Sequence, residues 1–455
     1  MSKVFSGTMF TTLAFAALFS SFAAANLYQV PLGSSPFPID YDFTTRWDDD
    51  SCTISRSTAF ELHDGPNTFS TAPSDPINSV KITPAINKTN WEQWEFDALS
   101  HTGLSFLMAI FSRDNSLYFF GKGNLRMELF MTLPDGTRIQ ELDYLKESTV
   151  IDCPGYTAGI WNSSGKSYSF YTTKDLKYTK LEFDAPRIRG TYKLSSTTPP
   201  HHADGSAYDP KGVNNADAAQ ISPDFYYSVP VAGGEVEVDT VLGSGKKLSF
   251  SGRGGSARLW AQQGWLGISE SWIAIRAWAG PYTIAYWDVV SRVGADTGKK
   301  FFSGHLFYND QLLVGTRVGN VSGTEDYVRI THKYDGEISG TFDDKNTGHV
   351  FEFASPSQDK KWRFEMQHTM KQYELGVGGG LGMSDFANRV FGGEVGGEQY
   401  EGRGLTEQAA FPEYVPQWAV WLLYGVGFLG TGKDYAIDFG VSLVIRKHPF
   451  ERRQV

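Results

Sequence analysis

The chain has 455 residues, of which 41% are hydrophobic, 15% aromatic and 20% charged, with a formal net charge of −10. That length provides for at least two domains, and the apolar share suffices for a sizeable core. An acidic, well-mixed charge distribution excludes a protein built to bind nucleic acid or an anionic membrane surface.

The first element carries Lys3, then an apolar run from Phe10 to Phe22 broken only by Thr and Ser, then Ala23, Ala24 and Ala25. This is the anatomy of a secretory signal peptide over residues 1–25, with cleavage after the small residues. The run falls short of the roughly 20 residues of a spanning helix. Its removal leaves 51 acids against 40 bases, a net charge of −11. Secretion predicts an oxidising compartment, extracellular or luminal. Cys52 and Cys153 then read as one disulfide, the alternative being two buried free thiols. In the chain-entropy picture, closing a loop of that length contributes about 4 to 5 kcal/mol. Sequons at Asn87, Asn162 and Asn320 agree with secretion.

Strand patterns recur along the rest, and long amphipathic helices do not. From Leu125 to Leu133 apolar residues alternate with Arg126 and Glu128, and Pro134-Asp135-Gly136 turns the chain into another short strand. Glu235 to Asp239, the Gly243-Ser244-Gly245 loop and Lys247 to Phe250 predict a hairpin. Tyr327 to His332, turned by Tyr334-Asp335-Gly336 into Glu337 to Phe342, predicts a third. The sum is a meandering antiparallel, all-β chain. Between Ser195 and Pro223 the composition shifts to Ser, Thr, Pro, Asp, Asn and Gly, which predicts a linker or long surface loop. We place an N-terminal β domain at 26–205, a linker at 206–221, a C-terminal β domain at 222–407 and an apolar tail at 408–455. The tail blocks Trp418–Leu429 and Tyr435–Ile445 read as an added strand pair or packing helix, with membrane association as the second reading.

Most enzyme chemistries leave motifs, and here they are missing. There is no His-Glu-x-x-His, no Gly-x-Ser-x-Gly and no P-loop. His201-His202 reads as a solvated turn rather than a metal site. Gly252-Arg253-Gly254-Gly255-Ser256-Ala257 fits a dinucleotide glycine pattern, yet no helix follows it, so no cofactor is expected there. Asp48-Asp49-Asp50 and the Glu92 and Glu95 pair read as solvated surface rather than as glycosidase carboxylates.

Aromatic density is the positive signal. Trp260, Trp265, Trp272, Trp278, Tyr282, Tyr286 and Trp287 fall within 28 residues. Each could fill a barrel core, but together they exceed what a small barrel needs, so some should line a pocket.

Four stretches resemble the two-domain, lipocalin-like fungal pericyclases called Diels-Alderases. They are Trp94-Glu95-Phe96-Asp97-Ala98 with Phe111-Ser112-Arg113-Asp114; Gly121 to Arg126 with the Pro134-Asp135-Gly136 turn; Phe250 to Gly254 through Trp260 to Gly280-Pro281-Tyr282; and Phe391 to Gly397 with Tyr400-Glu401-Gly402 and Glu407. The resemblance spans about Trp91 to Glu407. It implies a β-sandwich-like N-terminal domain, a lipocalin-like C-terminal barrel, a substrate pocket between them, and neither cofactor nor metal. It also implies stereoselective [4+2] cycloaddition, Diels-Alder or hetero-Diels-Alder, by folding an apolar polyene, quinone methide or terpene and polarising one carbonyl. A lipocalin-like hydratase or isomerase, or a carrier of an apolar metabolite, is the alternative.

Where the decalin-forming members carry a Tyr-His-Asp-type run before the pocket tryptophan, this chain reads Gly255-Ser256-Ala257-Arg258-Leu259. That departure, with the leader, points to a divergent branch. By the resemblance Trp260 and Trp362 are pocket residues, joined as substrate-binding residues by Trp272 from the aromatic cluster and by Phe364. Strand parity puts Trp362, Phe364, Met366 and His368 on one face. His368 is then a carbonyl donor or a hydrogen-bonded rim histidine, and Arg113 is a second donor or the partner of Asp114 or another acid.

Overall fold

The computed structural model describes residues 51–412 apart from 73, 116–122, 210–216, 341–342 and 379. The expected signal peptide, Asp48 to Asp50 and the tail blocks beyond 412 lie outside the described residues. Alternation makes the strands: in Trp91–Ser100 one face carries Trp94, Phe96 and Ala98, and the other carries Trp91, Glu95, Asp97 and Leu99.

Two antiparallel sheets hold nearly everything. The first, of fourteen strands, runs in the order Thr53–Thr58, Glu147–Asp152, Tyr156–Ser163, Lys166–Thr173, Tyr178–Ala185, Ile188–Ser196, Phe225–Leu242, Lys247–Ala261, Trp91–Ser100, Phe106–Asp114, Leu125–Thr132, Arg138–Tyr144, with two short strands against Phe225–Leu242. It folds around a core of Trp94, Phe96, Phe111, Trp161, Phe170 and Tyr192. The second, of nine strands, is the lipocalin-like, nearly closed barrel. Its order is Gln311–Thr316, Lys300–Tyr308, Tyr282–Ser291, Ser269–Ala279, Gln399–Ala410, Leu381–Glu394, Lys360–Gly378, Gly348–Ser355, Tyr327–Lys333. Ile275, Tyr286, Phe351, Phe353, Trp362 and Phe364 fill it. The expected all-β class and paired architecture are present, and the expected disulfide joins Cys52 to Cys153.

The sheets divide the chain later than composition suggested. Phe225–Leu242 and Lys247–Ala261, expected in the C-terminal domain, pair with Ile188–Ser196 and Trp91–Ser100 in the first sheet. The second sheet begins at Ser269, after one helical turn at Trp265–Ile268. Nor is 206–221 a free linker throughout, because Ala218, Ala219 and Ile221 are buried and Gln220–Ser222 pairs with Phe225–Leu242. His201 and His202 correct the solvated-turn reading: both are buried, with Nδ1 bonded to Pro199 O and Ser228 Oγ. Tyr327–Lys333 takes Gly348–Ser355 as its partner, rather than the nearer segment from Glu337.

The glycine pattern also finds its reason. A Cβ on Gly252 would stand 2.0 Å from Leu99 O, and one on Gly254 would stand 1.9 Å from Asp97 O. Only glycine lets Lys247–Ala261 close on Trp91–Ser100, so these residues belong to a continuous strand. Among the sequons, Asn162 and Asn320 are exposed, while Asn87 Oδ1 accepts from the Thr89 and Asn90 amides. No helix among the described residues is long and apolar enough to cross a membrane.

Candidate active site

The outer face of the barrel packs against the first sheet through two apolar clusters. One holds Trp91, Phe225, Tyr227, Trp265, Trp272 and Trp287. The other holds Leu99, Phe106, Met108, Phe130, Trp278 and Tyr373. Strand parity brings polar groups into the seam between them. Glu95 and Asp97 come from Trp91–Ser100, Arg276 from Ser269–Ala279, Asp385 from Leu381–Glu394 and Glu407 from Gln399–Ala410. These residues line a cavity of about 50 Å³ with Met108, Tyr227, Ala257, Trp287 and Leu405.

The acids differ in how they are held. Asp97 is paired with Arg276, whose Nε lies 3.0 and 2.8 Å from its two oxygens, and it also accepts from Gly255 N at 3.1 Å. Arg276 is fixed further by Nη1 bonds of 2.7 Å to Val231 O and Ala232 O. Glu407 accepts from Trp272 Nε1 at 2.8 Å and from the Tyr373 hydroxyl. Asp385 is 1% exposed, and neither carboxyl oxygen has a partner among the described residues. Burial, reinforced by the charges of Glu407 and Asp97, raises its pKa well above the usual carboxylate range. Burial likewise raises Glu95, helped by Glu407 and Asp97. It raises Glu407 too, but the Tyr373 and Trp272 bonds act against it. Glu407 is therefore the first of these three raised acids to ionise, and Asp385 and Glu95 keep their protons to higher pH. A neutral carboxyl in an apolar seam donates a hydrogen bond. Trp287 Nε1 is another buried donor without a partner among the described residues.

The residues singled out in the sequence are dispersed. Trp272 reaches the seam and holds Glu407. Trp260 lies on the far face of its strand, stacked on Tyr226 with centroids 5.4 Å apart. Trp362, Phe364, Met366 and His368 share the barrel interior, as parity required, and none lines the seam cavity. His368 bonds through Nδ1 to Asn388 Oδ1 at 2.6 Å and stacks on Phe386. Arg113 is buried in the first domain, bonded to Ser148 Oγ and Ser55 and paired with Glu92 at 3.7 Å. Asp114 pairs instead with Arg126. Glu92 and Glu95, read as surface, are inside the protein on opposite faces of one strand. Sequence reasoning missed Asp385 and gave Glu95 and Glu407 no role. The available signal was acids at alternate positions in otherwise apolar strands.

Two domains of antiparallel sheet, the second lipocalin-like, that enclose buried acids between aromatic walls define a protein suited to a small molecule. A profile of the Diels-Alderase-like family matches residues 49–412, and the chain belongs to that family of enzymes acting on small molecules. It is 61% identical to hexane cyclase pydB of Acremonium sp over 417 residues, 92% of this chain and 95% of that one. It is 42% identical to Diels-Alderase mycB of Thermothelomyces thermophilus, over 92% of this chain and 96% of the relative. Among solved structures, that of CghA with Sch210972 superposes with a TM-score of 0.69 at 25% identity, over 80% of this chain and 100% of that chain.

Proposed function

We propose that the protein is a cofactor-independent cyclase that closes a six-membered carbocycle by stereoselective [4+2] cycloaddition on a polyene-type substrate. The carrying observation is Asp385, a buried, neutral carboxyl without a partner among the described residues in an aromatic-walled seam. Its proton is free for a carbonyl on the substrate, which makes the adjoining alkene a better dienophile. The relatives named hexane cyclase and Diels-Alderase support this reading. The aromatic clusters supply the fold of the chain. Holding two π systems in near-attack geometry accounts for several kcal/mol, and one preorganised donor for roughly 2 to 4 more.

A cavity of about 50 Å³ accepts a carbonyl group and its neighbours. A pocket for a whole polyene runs to about 300 Å³ or more, so the rest of the substrate has to lie beyond this cavity or widen the seam. The donor roles anticipated for His368 and Arg113 pass to Asp385 in this reading. The leader, the exposed sequons at Asn162 and Asn320 and the Cys52–Cys153 disulfide support passage through the secretory pathway.

The test compares Asp385→Asn, which keeps a donor, with Asp385→Leu, which has none. Asp385→Leu should lower turnover of a linear polyene by about 10²–10³-fold while Asp385→Asn keeps most of it. Equal turnover by both variants and the parent would remove Asp385 from the mechanism.

A further inference from the structure

We propose that Glu407 and Glu95 form a base and acid pair that isomerises an α,β-unsaturated carbonyl to its dienol, so that the enzyme makes the diene it then closes. This rests on the proposed cyclisation and names its substrate class: an enone with a hydrogen on the γ carbon. Three observations support it. The two carboxyls line one cavity, and that cavity also contains Asp385, 1% exposed and unpartnered on both oxygens among the described residues. Glu407 is oriented by donors on both of its oxygens, Trp272 Nε1 at 2.8 Å and the Tyr373 hydroxyl, which favour its ionised form against the effect of burial. The cavity's cation, Arg276, is engaged with Asp97 and two backbone carbonyls, so it does not quench the base.

A pericyclic closure alone needs a donor but no base. Once Glu407 ionises, a carboxylate faces neutral carboxyls in a buried seam, an arrangement that serves enolisation. The Glu407 carboxylate takes the γ proton. The C–H electron pair becomes the new β,γ double bond, the α,β pair moves to join the α carbon to the carbonyl carbon, and the carbonyl pair moves onto oxygen. That oxygen takes the Glu95 proton while Asp385 holds a hydrogen bond to it. Glu95 is left as the carboxylate and Glu407 as the acid, and return of the proton between them resets the pair. No proton is gained or lost overall, and the dienol is an electron-rich diene. Tyr373 and Trp272 are positioning residues. The titratable and charged groups facing Glu407 are Glu95, Asp97, Glu128, Tyr373, Asp385 and Arg276.

The experiment incubates the full chain in D2O with a linear aryl enone that carries a remote alkene and whose only acidic C–H bonds are γ to the carbonyl. Hydrogen lost from the γ carbon, deuterium gained there and ring closure are read together by NMR and mass spectrometry. Exchange should run about 10²–10⁴-fold faster than in buffer and fall to background in Glu407→Gln. Tyr373→Phe guards against a variant that only misfolds. Loss of its hydrogen bond should move the rising limb of the rate against pH upward, which a structural role for Tyr373 would not do. Ring closure with every γ hydrogen retained and no deuterium gained overturns the proton transfer and leaves the cyclase reading. Deuterium without ring closure sustains the pair and removes the cyclase reading, and neither signal removes both.

Discussion

Glu92 and Glu95 lie three residues apart on the strand Trp91–Ser100, and both are enclosed by protein, yet they end in opposite situations. Glu92 faces the first domain. It accepts from Lys81 N at 2.9 Å and from Arg258, whose guanidinium also lies 3.7 Å from the centre of Trp94, and Arg113 stands 3.7 Å away. Glu95 faces the seam with Asp97, Asp385 and Glu407, where Arg276 is already committed to Asp97. Burial is common to both. What differs is compensation: an acid given arginines becomes structure, and an acid denied them keeps its proton and becomes a reagent.

The largest effect should come from removing compensation in the first domain. Glu92→Ala leaves Arg113 and Arg258 buried without their acid and should cost about 3 to 5 kcal/mol in unfolding free energy. Chemical denaturation checks it, and a midpoint equal to the parent's would break the contrast drawn above. Asp385→Leu should do the reverse in the same assay, leaving stability unchanged or higher because no unpartnered carboxyl remains to be buried.

The pH dependence sharpens the comparison. Asp385 and Glu95 hold their protons in the fold but release them on unfolding at the ordinary carboxylate pKa. Their contribution is therefore full below about pH 4 and declines as pH rises through their folded pKa values. Buried His368 and His305 have the opposite sign. Burial lowers each to about 4, so the unfolded chain binds protons first, and stability is lost as pH falls from about 6.5 through 4. The loss is on the order of 3 kcal/mol for each histidine. In thermal melting from pH 7 to 4 the histidine loss opposes the gain from the two acids. His368→Gln should make the change in Tm from pH 7 to 4 less unfavourable than in the parent, and an unchanged difference would show that His368 is already charged in the fold.

The smallest effect is at Trp272. Trp272→Phe keeps a ring in the aromatic cluster but takes one donor from Glu407, worth about 1 kcal/mol or roughly fivefold in turnover. A change in binding with turnover intact would make Trp272 a wall of the pocket rather than a support for the base.

Strand alternation, the pairing of Cys52 with Cys153 and the shared face of Trp362, Phe364, Met366 and His368 were all legible in the sequence, because they follow from local geometry or simple counting. The family was legible too, through short stretches such as Trp94 to Ala98 and Phe391 to Gly397. Tertiary structure alone decided that Phe225–Leu242 and Lys247–Ala261 join the first sheet, and that Glu95, Asp385 and Glu407 share one cavity. Alternation says that a residue faces away from its neighbours, but not which distant surface covers that face. The protonation of these acids depends on what lies across the seam, and that is settled only when two sheets close on strands about three hundred residues apart.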